Sequence, residues 1–402
     1  MSSTIDPANL IAEAKAMLPQ TVALRRRIHA QPELGLHNPK TAALVEEQMK
    51  GLDVEIARGP STSGLIVSLA GKRKGKTILL RGDTDALPMP ENTGLPFSSE
   101  IEGRMHACGH DAHTSMLVHA AHLLHRHRDD FAGTVKFMFQ PGEEGFHGAR
   151  RMIEDGLIEA DPRPDACFAM HIIPNITAGI LAGKPGPTMA SADRWTVIVK
   201  GRGGHASAPH DAIDPMPVAF EIGLALQTMV TRRHSVFDPV VITIGRVAGG
   251  TTDNVIPETV ELYGTLRATS PGARQGAQEN IERVAKNVAA AHLCVAEVQF
   301  EQGYPVTIND AGFAAFARGV ARDLLGEKGF VDMAAPVMGA EDFSYVLQKI
   351  PGCMFVLGVM PKERDPSGQI APVHSNRMML NEDAMATGIA MHAAVATRFL
   401  AA

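Results

Sequence analysis

The 402-residue chain has little cysteine, few aromatics and no block of like charge. Its four cysteines, Cys108, Cys167, Cys294 and Cys353, are too scattered for a disulfide framework, which fits a reducing, cytoplasmic setting. Lys and Arg number 38 against 44 Asp and Glu, and no basic run occurs, so nothing points to nucleic acid as a partner. No run of about 18 uncharged apolar residues is present to cross a membrane. Met1–Met17 holds Asp6 and Glu13 and lacks the apolar segment of a secretory signal. The single tryptophan, Trp195, falls in an alternating strand pattern and reads as packing. What is present is ordinary for a soluble globular chain, with 45% apolar and 20% charged residues, and the length favours two domains.

The first half alternates apolar strand patterns with helical ones. Strands are expected at Thr77–Leu80, Thr134–Gln140 and Asp165–His171, and helices at Lys40–Lys50, Ala112–Arg126 and Gly148–Gly156. That alternation predicts an α/β fold with a mainly parallel sheet flanked by helices, in which sites form at the carboxyl ends of strands. Asp83 and Asp85, Glu143 and Glu144, and His171 each follow directly on such a strand. After Pro185-Gly186-Pro187 the order becomes strand, helix, strand, strand, helix, strand, over Trp195–Lys200, Pro217–Val230, Val240–Arg246, Thr259–Arg267, Ala273–Ala291 and Ala296–Glu301. This is the ferredoxin-like order. It predicts an inserted α+β domain over residues 190–303, within a first domain formed by 1–189 and 304–402.

The densest chemistry lies in Met105-His106-Ala107-Cys108-Gly109-His110-Asp111-Ala112-His113. Cys108 and His110 flank a glycine, a spacing that turns a thiolate and an imidazole toward one cation. With carboxylates added, such a donor set suits zinc and its first-row neighbours. Glu143 and Glu144 read alone as solvated loop charges. In a turn they can divide roles, one binding a metal and the other acting as a base. His171 and His374 read singly as ordinary histidines, and Asp83 and Asp85 as turn formers before Pro88. It is their joint occurrence at strand ends of one domain that suggests a metal site. His119, His122, His125 and His127 read as the polar face of a helix, and the other three cysteines as core thiols.

The segments Leu80–Pro88, Met105–His113, Gln140–Gly145, Met170-His171, Gly203–Ser207 and Asp253–Pro257 occur in that order. Together they resemble the aminoacylase, carboxypeptidase G and hippurate hydrolase family of metallo-amidohydrolases. The closer likeness is to the branch of hippurate hydrolases, N-acyl-amino-acid amidohydrolases and auxin-conjugate hydrolases. Arg26-Arg27-Ile28-His29 and Pro32-Glu33-Leu34 fit the same branch, and the likeness runs over about residues 20–395.

The resemblance implies a zinc-peptidase-like catalytic domain and an inserted lid and dimerisation domain. It implies one or two divalent ions (zinc, manganese, cobalt or nickel) on Cys108, His110, Glu144, His171 and His374. Glu143 is the implied general acid/base. Asp83 is the implied aspartate orienting a ligand imidazole, a position that Asp85 also fits. Other branches have a ligand histidine where this chain has Arg81, and a bridging aspartate where it has His110. A thiolate bridges two metals well and a neutral imidazole poorly, so Cys108 is the expected bridge. His205 is the implied lid histidine, reaching the partner subunit's site as an oxyanion donor, with Asn254 beside it and Arg267 a candidate for the substrate carboxylate. The implied reaction is hydrolysis of an N-acyl or N-aroyl amino acid by a homodimer or higher homo-oligomer. A dipeptidase or an N-acetyl-diaminopimelate-type deacetylase on the same scaffold is the alternative.

Overall fold

The computed structural model describes residues 6–363 and 368–401. The chain divides into two compact units, one of Met1–Gly186, Ile308–Ala334 and Tyr345–Ala402, the other of Pro187–Thr307 and Ala335–Ser344.

The first unit is built on an eight-stranded mixed sheet. Its strands include β1 (Glu55–Arg58), β2 (Leu65–Ala70), β3 (Thr77–Asp83), β4 (Thr134–Gln140), β5 (Ala166–Ile173) and β6 (Leu181–Gly183). Spatial order is β1, β2, β4, β3, β5, then Gly352–Gly358, β6 and Phe330–Asp332. β4, β3, β5 and Gly352–Gly358 run parallel to one another. Every residue of β3 is buried, as expected of a central parallel strand covered on both faces. Helices include α1 (Pro7–Ala30), α2 (Pro39–Met49), α3 (His110–Arg126) and α4 (Gly148–Glu154).

The strand–helix alternation of the sequence does not announce α1. Asp6 caps it by accepting from the Ala8 amide, and Leu10, Ala14, Met17, Leu24 and Ile28 form its buried stripe despite Pro19. The segment Glu382–Ala401 is apolar and long enough to cross a membrane, but 78% of it is buried. Met385, Ile389, Met391 and Val395 lie in the core of the first unit, which accounts for the apolarity.

The second unit has a four-stranded antiparallel sheet, ordered Val240–Gly249, Thr259–Ala268, Asp193–Lys200, Val295–Glu301. Helices Pro215–Arg233 and Pro271–Ala291 contribute Leu226 and Ile281 to its core, where Trp195 is also buried. Residues 335–344 belong to this unit rather than to the first, because Ala190 donates its amide to the carbonyls of Val337 and Gly339, at 3.0 and 2.9 Å. That pairing spans nearly 150 residues of sequence, and no local pattern carries it.

Candidate metal centre

The Cys108–His110 turn is made by Gly109. Its φ of +90° is a left-handed conformation, and a Cβ there would lie 2.5 Å from Ile172 Cγ1. α3 begins at His110, so the imidazole stands at a helix start beside the ends of β3, β4 and β5. The His374 amide donates to the Ala107 carbonyl at 2.8 Å and so draws the His374 loop alongside the turn.

These placements bring the five expected donors together. Cys108 Sγ lies 3.2 Å from His171 Nε2. His171 Nδ1 donates to the Ile172 carbonyl at 2.7 Å, so the Nε2 lone pair faces the thiol. His110 Nδ1 donates to the Asp85 carbonyl at 2.8 Å. Its Nε2 is buried and lacks a hydrogen-bond partner. His374 Nε2 is 3.2 Å from Glu144 Oε1. Ligand atoms lie within 4.8 Å of one another in two trios, Cys108, His110, His171 and Cys108, Glu144, His374, so Cys108 is common to both. A further trio, His110, Glu143 and Glu144, places Glu143 against the same atoms.

Electrostatics favour positive charge here. Burial opposes a charge on His110, but Asp83 and Cys108 outweigh it and push its pKa well above the usual imidazole value. Hydrogen bonds to Cys108 and Glu144 raise His374 to about 10. Burial lowers His171 to about 3, leaving it a neutral donor. Burial also pushes the Cys108 thiol up. An unpartnered buried imidazole nitrogen beside a thiol, a carboxylate and two further imidazoles is a donor set that fits a zinc-like cation.

The two aspartates have separate tasks. The Asp85 backbone carbonyl fixes the His110 ring, and its carboxylate accepts the amides of Glu143 and Glu144, both at 3.0 Å. The orienting contact to His110 is therefore made by Asp85, and through its backbone. Asp83 accepts from His113 Nδ1 at 2.6 Å, pairs with Arg81 Nη1 at 2.6 Å, and lies 3.4 Å from His110 Nε2. No sequence signal distinguishes the two, since Asp83 ends β3 and Asp85 follows it by two residues.

Three expected site residues lie in the second unit. Gly204–His205 pairs with Val255–Ile256, and the Ala206 amide donates to the Asn254 carbonyl at 3.0 Å, so His205 and Asn254 share one small ribbon. His205 is exposed, and its Nδ1 accepts the Ser207 amide at 3.1 Å, which places the proton on Nε2. Arg267 lies half-buried on the strand Thr259–Ala268.

A buried network stands behind the turn. Asp111 Oδ2 meets Arg25 Nε at 2.9 Å and His29 Nδ1 at 2.8 Å, and His29 Nε2 meets Glu91 at 3.2 Å. Burial disfavours a charge on His29, but Asp111 and Glu91 outweigh it and raise the pKa to about 9.

Residues 79–398 match the model of the peptidase family M20/M25/M40. The chain belongs to this family. It is 37% identical to thermostable carboxypeptidase 1 of Saccharolobus solfataricus, over 94% of this chain and 95% of the relative. It is also 37% identical to the IAA-amino acid hydrolase ILR1-like 4 of Arabidopsis thaliana, over 94% of this chain and 85% of that one. Among solved structures, the Bacillus subtilis YXEP protein, described as a dinuclear metal binding peptidase from M20 family, superposes with a TM-score of 0.83 at 34% identity, covering 96% and 99% of the two chains. Membership of the M20/M25/M40 family makes the protein a hydrolase, and the α/β fold with its large, largely parallel sheet is that of its structural relatives.

Proposed function

We propose that the protein hydrolyses the amide bond of N-acyl or N-aroyl amino acids, releasing a carboxylic acid and a free amino acid. The observation that carries the reading is the pair of ligand trios sharing Cys108, with Glu143 against them. Cys108, His110, Glu144, His171 and His374 would hold one or two divalent ions of the zinc, manganese, cobalt or nickel type, with the Cys108 thiolate the donor best suited to being shared were two present. Bound there, such ions would lower the pKa of the attacking water and polarise the amide carbonyl.

Glu143 takes the proton of that water and delivers it to the leaving amine. Its backbone is tied to Asp85, which holds it in place as the proton moves. Asp85 holds the Glu144 amide in the same way, and its backbone carbonyl accepts His110 Nδ1–H. His205, with its proton on Nε2, reaches the partner subunit's active site and supplies a hydrogen bond to the developing oxyanion there, Asn254 supports it, and Arg267 is the candidate for receiving the amino-acid carboxylate. The second unit thus serves as lid and dimerisation domain. A homodimer is supported by its exposed apolar side chains Phe220, Leu224, Val236 and Phe237 next to the open edge strand Val240–Gly249.

Similarity to an enzyme named carboxypeptidase favours one other reading, a peptidase acting on dipeptides. A hydrolysis panel on metal-reconstituted protein separates the two. It should contain N-acetyl, N-benzoyl, long-chain N-acyl and indole-acetyl amino acids together with dipeptides. Cleavage of acylated amino acids in preference to dipeptides is expected; turnover of dipeptides alone overturns the proposal.

A further inference from the structure

We propose that His113 is a positioning residue of the metal centre and not a ligand: anchored by Asp83, it holds the end of β5 that carries His171. This rests on the metal-centre reading above. Asp83, His110 and His113 also place one donor atom each within 4.8 Å of one another, so position alone would allow a cation among them. Hydrogen-bond accounting decides against it.

An imidazole has two ring nitrogens, and both of His113's are committed. The Asp83 carboxylate can only accept, so the 2.6 Å contact puts the His113 proton on Nδ1. Nε2 is then an acceptor, and it takes the Ile172 amide at 2.8 Å. No lone pair is left for a metal. Asp83 Oδ1 receives His113, and Oδ2 forms an ion pair with Arg81 Nη1 at 2.6 Å, while Arg81 Nε donates to Gln140 at 2.9 Å. Arg81, Asp83 and His113 are all buried.

The amide that His113 grips belongs to the peptide joining His171 to Ile172. The carbonyl of Ile172 accepts His171 Nδ1–H and thereby aims His171 Nε2 at Cys108. The His113 ring also stands edge-on to the His171 ring, with centroids 4.7 Å apart. A chain of contacts therefore runs from Arg81 and Asp83 on β3, through His113 on α3, to Ile172 on β5, whose carbonyl fixes a ligand imidazole. Arg81, which stands where other branches have a ligand histidine, anchors that chain.

Metal content and affinity of the full-length protein test this directly, by zinc and manganese titration against a competing chelator. His113→Asn keeps a donor for Asp83 but cannot reach the Ile172 amide. His113→Gln can reach the amide. The expected result is an unchanged number of ions at saturation in both variants. Affinity should fall about 10–100-fold in His113→Asn and recover most of that loss in His113→Gln. Loss of an ion in either variant makes His113 a ligand and overturns the proposal, as does an unchanged affinity in His113→Asn. If His113→Asn does not fold, the ion count of His113→Gln decides alone. Failure of the unaltered protein to bind any ion would overturn the metal-centre reading itself, a result distinct from both.

Discussion

Cys108 carries two demands at once. It is the member common to two donor trios, and burial keeps its thiol protonated until a cation arrives. Metal uptake must therefore release protons from Cys108, and from His374, which is raised to about 10. Affinity for zinc is expected to rise with pH from 6 to 9, and calorimetry in buffers of different ionisation enthalpy should detect the released protons. Cys108→Ser should remove at least one equivalent of metal; a full dinuclear complement in that variant would show that the thiolate is not the bridge. Glu143→Gln should retain metal but lose roughly 10²–10⁴-fold in kcat, the usual contribution of a general base. Unchanged turnover would assign the proton transfer elsewhere. Gly109→Ala faces both a left-handed φ and the Ile172 side chain. A cost of at least ~1–2 kcal/mol in chemical denaturation is expected from the backbone conformation alone.

At the scale of elements, the first turn of α3 is held against α1 by the Arg25–Asp111–His29 network. Asp111 is buried, and removing its charge takes from Arg25 and His29 the carboxylate they share, leaving each only its second partner, Glu382 and Glu91. Asp111→Asn is expected to cost roughly 3–5 kcal/mol in urea unfolding. The pH dependence follows from the directions of the shifts. His29 is raised to about 9 in the folded protein, so its stabilisation is fully present below its unfolded pKa and is lost as pH rises through about 9. Glu91 is lowered to about 2, as its hydrogen bonds from His29 and Thr93 outweigh burial. Its stabilisation is present above its unfolded pKa and lost as pH falls toward about 2. Melting temperatures across pH 4–10 should decline on the alkaline side, and a His29→Gln variant should flatten that decline. An identical alkaline limb in the variant would remove His29 from the account.

For the whole molecule, the second unit exposes Leu224 at 72% and Phe237 at 96%, beside an edge strand of ten residues. Apolar groups of that size next to unpaired backbone favour a self-complementary contact with a second copy. Sedimentation should therefore show a dimer, and Leu224→Glu combined with Phe237→Glu should shift it to monomer. A monomer in the unaltered protein would leave the homodimer reading without support.

Much of the site was legible in the chain because its chemistry is local. Cys108 and His110 are two residues apart, Glu143 and Glu144 are adjacent, and β3, β4 and β5 are largely apolar strands with the candidate site residues at or just past their carboxyl ends. Apolar periodicity likewise marked both long helices of the second unit and the four strands of its larger sheet. Three things were not legible. α1 is amphipathic but broken in pattern by Pro19. Residues 335–344 join the second unit through a pairing with Ala190 far away in sequence. The choice between Asp83 and Asp85 depended on which oxygen meets which amide. Sequence by itself determined the residue types and the strand ends that can carry metal chemistry, because spacing along the backbone is a local property. Only the tertiary structure decided that Cys108 belongs to both trios, that Asp85 orients His110, and that His113 has no lone pair to give. Each of those depends on hydrogen bonds between segments that meet only when the sheet assembles.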